Sequence, residues 1–135
     1  MREALVIGVG CTRGTPSAAL GAAIDAVLAQ HGLDRDAVRA LASLDSKHDE
    51  GGLVALAHAR GWTLALYSAA ALAGVAIAQP SAAVHARVGT PGVAEPAALL
   101  HAKHGPLRVA KTVHRVEGHA ITIAVAAMHG EARDD

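Results

Sequence analysis

The stretch Leu5-Val-Ile-Gly-Val-Gly-Cys-Thr-Arg-Gly-Thr15, followed by Pro16, decides the fold. Its apolar start, Leu5 to Val9, predicts a short buried strand. Gly8, Gly10 and Gly14 predict a turn, and Thr15-Pro16 predicts the start of a helix with Thr15 as cap and Pro16 in the first helical position. Strand, glycine-rich turn and helix in direct succession open an α/β unit. The first amides of such a helix have no intrahelical partners and favour negative charge, so the loop is a candidate seat for an anionic group. Arg13 adds a bidentate donor, and Cys11 and Thr12 add polar atoms. A purely structural turn uses glycines in the same way. A dinucleotide would also need an acidic residue about 20 positions on, at the end of the second strand. Asp34 and Asp36 precede that strand instead, which favours a carboxylate or phosphate ligand over NAD.

Outward from this stretch, Leu20, Ile24, Val27 and Leu28 form one apolar stripe, and Gly32 ends the first helix. Val38 to Leu44 reads as strand two. It leads into a polar cluster, Asp45-Ser-Lys-His-Asp-Glu50, before Gly51-Gly52 and a second helix carrying Leu53, Leu56 and Ala57. This cluster falls at the strand-end edge where open α/β sheets bind ligands, the same edge as the glycine loop. Trp62 to Tyr67 is strand three. Ser68 caps a short alanine-rich helix, Gln79-Pro80-Ser81 caps another, and Gly89-Thr-Pro-Gly92 leads into a third that runs to about His104. Glu95 and Thr90 lie at that last helix's start. Leu107 to Val113 and Ala120 to Met128, turned at Glu117-Gly118, predict a β-hairpin. Lys111 falls, by alternation, on the face of Leu107, Val109 and Val113.

The expected fold is therefore α/β: a three-layer α/β/α domain over residues 1–128, whose mixed, mostly parallel sheet of about five strands ends in the hairpin. A polar tail, 129–135, follows. At 135 residues and 52% hydrophobic content the chain suits one packed core. No apolar run reaches the roughly 18 residues of a membrane helix, and the start lacks a signal-peptide pattern, so the expected location is cytoplasmic. Twelve basic and twelve acidic residues cancel, and the rings number one Trp, one Tyr and no Phe. Neither a net field nor a stacking platform points to nucleic acid. One cysteine excludes an internal disulfide and a C-x-x-C metal pair. Nine histidines include the pairs His101/His104 and His114/His119 but no metal-ligand frame, so no metal and no cofactor is expected.

For chemistry, Cys11 is either a nucleophile at a helix start or a small packed side chain. Asp45, Asp49 and Glu50 are candidate acids or bases, and a solvated charged loop has the same composition. Arg13, Lys47 and Lys111 are the candidate cations, a set suited to a ligand with several carboxylates.

Three motifs together resemble the cobalamin-biosynthesis CobE family and the C-terminal domain of CbiG, the cobalt-precorrin-5A hydrolase. They are Gly8-Val-Gly-Cys-Thr-Arg-Gly-Thr15, the Asp45–Glu50 cluster, and Pro80-Ser-Ala-Ala-Val84 followed by Val88-Gly-Thr-Pro-Gly-Val-Ala-Glu95. They occur in family order over about Leu5 to Val125, and Lys111 matches a family lysine. The resemblance implies a precorrin or cobalt-precorrin ligand, a macrocycle with many acetate and propionate arms. Gly8, Gly10, Cys11, Arg13, Gly14, Thr15 and Lys47 would meet those arms, and Ser81, Thr90, Glu95 and Lys111 would close the site. It further implies either a binding protein, an enzyme that opens or rearranges the ring, or a carrier that passes intermediates to other corrin-pathway enzymes. CbiG-type hydrolases carry additional N-terminal sequence absent here, so catalysis is left open, as is oligomeric state.

Overall fold

The computed structural model describes residues 4–45, 51–74, 93–103 and 105–128. Among them a five-stranded sheet has the order β3-β2-β1-β5-β4. Its strands are β1 (Leu5–Cys11), β2 (Val38–Leu44), β3 (Thr63–Tyr67), β4 (Leu107–Val116) and β5 (His119–Ala127). The helices are α1 (Ser17–Gln30), α2 (Gly51–Arg60), α3 (Ala69–Ala73) and α4 (Ala94–His101). β1, β2 and β3 pair in parallel, and β5 runs antiparallel to both β1 and β4. The α/β/α expectation holds: a mixed sheet lies between two helical layers and ends in a hairpin.

The layers differ in how they are packed. On one face α1 and α2 bury Leu20, Ile24, Val27, Leu28, Leu53 and Leu56 against Ile7, Val9, Leu41 and Ile123, an ordinary branched-aliphatic core. On the other face α4 lays Ala97 and Ala98 on Val6, Ala42 and Ala126. Small side chains on both sides bring helix and sheet together at close range. Gly8 shows how close: a Cβ there would collide with the carbonyl oxygen of Ala94 in the first turn of α4. Gly8 and Gly10 are thus strand residues, since β1 continues to Cys11 rather than ending at Val9.

Thr15 does not cap α1. The N-cap is Pro16, with no side-chain cap bond, while the buried Thr15 hydroxyl donates to the Thr12 carbonyl at 2.6 Å. Helices α1 and α2 stop before Gly32 and Gly61, and Ser68 caps α3 through the Ala71 amide. The third predicted helix stops at His101, ahead of Lys103 in left-handed backbone at φ 57°. Glu117 and Gly118, at φ 51° and 83°, make the positive-φ hairpin turn.

The simple alternation read for β4 fails. Leu107 pairs with Ala126, Val109 with Val125 and Thr112 with Ile123, so β4 carries two bulges. Each reverses the parity of the strand. Leu107 packs on the α4 side and Val109 on the α1 side, Val113 is 58% exposed, and Lys111 stands at the second bulge rather than on one face with these three. At the opposite edge from the glycine turn, the Met128 amide donates to the Ala4 carbonyl at 2.8 Å, closing the two ends of the described domain on each other.

Candidate functional site

Parallel pairing sends the carboxyl ends of β1, β2 and β3 to one edge. There Thr12-Arg13-Gly14-Thr15 forms a tight turn, with the Thr15 amide donating to the Thr12 carbonyl at 3.3 Å. Gly14 at φ 83° takes the left-handed corner that a side chain would strain, which leaves Arg13 exposed at the tip. The turn is anchored from the hairpin, as the Thr12 amide donates to Ala120 at 3.1 Å and the Thr12 hydroxyl lies 3.4 Å from His119 Nδ1.

Two further segments approach, one the turn and one the end of β1. Gly52, in the first turn of α2, abuts the carbonyl of Thr15, so the start of α2 adjoins the turn. Val93, the N-cap of α4, lies beside Gly10. The β1–β2 register ends at Gly8 and Ala42, and beyond it the buried Ser43 hydroxyl donates to the Val9 carbonyl at 2.7 Å. A side chain thus satisfies a backbone group where the two strands part.

The other sequence-derived residues take distinct places. Cys11 is the last residue of β1, half-buried against the α1–α2 core, and not at a helix start. Asp45 is exposed, one residue past the end of β2. Glu95 is 7% exposed, and its Oε2 accepts the backbone amide of Lys111 at 2.8 Å. The β4 bulge takes that amide out of the ladder, and a first-turn carboxylate of α4 satisfies it. Asp49, Glu50, Lys47, Ser81 and Thr90 lie outside the described residues, as do the helix expected after Gln79, His104 and the tail from 129.

One pair at the same edge went unread in the sequence. Tyr67, opposite Leu44 at the end of β3, lies with its hydroxyl 2.6 Å from Nδ1 of His101 at the end of α4. Burial, and then the charge of Lys103, lowers the His101 pKa, while burial raises that of Tyr67. Both rings are therefore neutral near pH 7, and the tautomer of His101 sets whether the phenol or Nδ1 donates in this bond. Its partners lie 34 residues apart, and only the crossing of α4 over the sheet brings them together.

A mixed sheet between two helical layers, with a glycine turn, Asp45 and a Tyr–His pair on one sheet edge, defines a three-layer α/β domain. Comparison narrows the class. Residues 5–126 match the family described as cobalamin synthesis G C-terminus. The chain is 37% identical over 91 residues to a cobalt-precorrin-5A hydrolase of Priestia megaterium, a match covering 67% of this chain and 24% of that protein. It is also 37% identical over 91 residues to protein CobE of a Sinorhizobium species, covering 66% and 59%. It thus spans about a quarter of the first relative and under two thirds of the second. The crystal structure of CobE, from the cobalamin biosynthetic pathway, superposes with a TM-score of 0.72 at 29% identity over 93% of this chain and 95% of that one. Cobalamin biosynthesis protein chiG of Agrobacterium tumefaciens gives 0.67 at 29% identity over 93% and 98%. The chain belongs to the cobalamin synthesis G C-terminus family and is a cobalamin-biosynthesis protein of the CobE/CbiG group. No helix among the described residues is long and apolar enough to cross a membrane.

Proposed function

We propose that the carboxyl edge of the sheet binds a polycarboxylated precorrin-type tetrapyrrole. The observation that supports this reading is that the start of α2 meets the Thr12–Thr15 turn and the start of α4 meets Gly8 and Gly10 of the strand leading into it. Arg13 at the turn's tip takes one carboxylate arm, with the amides around Gly10, Cys11, Gly14 and Thr15 beside it. Lys47, Ser81 and Thr90 are proposed for further arms of the ligand. Glu95 and Lys111 act from behind, their side chain-to-backbone bond fixing the first turn of α4 over β1. Gly8 serves by letting that helix approach. The location is cytoplasmic.

Titration with cobyrinic acid, followed at its visible band, tests the reading. A saturable shift is expected, and no shift at near-millimolar ligand would overturn it. Arg13→Ala should weaken binding by roughly 1.5–3 kcal/mol, the range for a charge-assisted hydrogen bond, without changing the melting midpoint.

A second reading, ring opening or rearrangement with Asp45, Asp49 or Glu50 as acid or base, is favoured by the identity to a cobalt-precorrin-5A hydrolase. Loss of turnover with retained binding in Asp45→Asn supports the enzyme. Binding with no turnover in the native chain supports a carrier that serves other pathway enzymes.

A further inference from the structure

The edge of the sheet opposite the glycine turn carries three arginines around one open groove. Arg35, Asp36, Arg39, Arg60 and Trp62 line a cavity of about 350 Å³, within the roughly 300–1,000 Å³ of small-molecule sites. Each arginine is put there by a separate device. Arg60, at the end of α2, is held by a bidentate pair with Asp25 of α1, both bonds 3.0 Å, and its guanidinium stacks 5.2 Å from the centre of the Trp62 ring. Those two bonds use two of its five N–H groups. Arg35 touches the same carboxylate only at 3.4 and 3.5 Å and is 56% exposed. Arg39 is the extra residue of a β-bulge, because Leu5 pairs with Val38 while Val6 pairs with Ala40, and bulges re-aim the side chain they insert.

Among the described residues, the acids that line or adjoin the groove leave part of this donor set available. Asp25 serves two guanidiniums at once and is held ionised below the usual carboxylate range, chiefly by the Arg60 hydrogen bond. Asp34 accepts the Asp36 amide at 2.8 Å, and among the described residues lining the groove Asp36 is the one carboxylate.

We propose that this groove is a second ligand site, binding a small oxyanion with two or more negative charges between Arg35, Arg39 and Arg60. A phosphate ester and a compact polycarboxylate share that chemistry, and planar guanidinium forks suit both.

Trp62, the chain's one tryptophan, stands in the wall and reports occupancy by its fluorescence. Pyrophosphate and tricarballylate are titrated separately into the intact chain, with sodium chloride matching ionic strength. A saturable change with a Kd below about 1 mM is expected in at least one arm, and the tighter arm identifies the source of the anion. Arg39→Gln should weaken that binding by about tenfold or more, as expected for one charge-assisted hydrogen bond, with an unchanged melting midpoint. Arg13→Ala, at the far edge, should leave it unchanged. A linear change equal to that of chloride in both arms, or equal affinity in Arg39→Gln, overturns the site.

Discussion

Gly8 and Gly10 look equivalent in the sequence and behave differently in the fold. A methyl group at Gly8 strikes backbone of α4, which cannot yield without moving the helix. At Gly10 the added Cβ meets only Val93 and Thr122 side chains, at 3.8 and 3.9 Å, which is ordinary contact. Gly8→Ala should therefore cost about 1–3 kcal/mol or more as overpacking, and Gly10→Ala well under 1 kcal/mol, measured by urea unfolding. If both variants unfold at the wild-type midpoint, the close approach of α4 is wrong. Glycine type alone carries no such distinction. It depends on a helix more than 80 residues away, so the sequence reading treated both as glycines of one candidate anion seat.

At the scale of the element, β4 shows where pattern reading ends. Period-two alternation assumes an unbroken ladder, and the two bulges moved Val113 and Lys111 off the predicted face. The bulge also explains why a carboxylate is buried at Glu95. Glu95→Ala should cost about 1–3 kcal/mol, because the part-buried Lys111 amide loses this acceptor. Glu95→Gln, which keeps an acceptor oxygen, should lose less, and equal losses in the two would remove the amide from the explanation. The hairpin turn was plain in the sequence through Glu117-Gly118, yet Glu117 is a poor residue for φ 51°. Glu117→Asn should stabilise by a fraction of the roughly 1–2 kcal/mol that a left-handed residue costs, read as a rise in melting temperature.

Across the whole molecule, the architecture was legible because strands and helices alternate with short turns, and the edge bearing the site followed from parallel pairing. The Tyr67–His101 bond was not, since no local pattern links the end of β3 to the end of α4. Burial of the His101 ring there, and then the charge of Lys103, gives the fold a pH dependence. His101 titrates below its ordinary 6.5 in the folded chain, so the unfolded chain binds the proton more readily. Its contribution to stability is complete above that value and is lost progressively as pH falls through the folded value. Urea midpoints at about pH 7.5 and 5.5 should differ more for the native chain than for His101→Gln, and an identical difference would exclude His101 as the source. A last consequence follows from the bond between Met128 and Ala4. The two ends of the domain leave it side by side, on the margin farthest from the glycine turn. Such a unit can be spliced into or appended to a longer polypeptide through one narrow stalk, its working margin left facing outward, which suits a module that aligns with only a quarter of one relative's length.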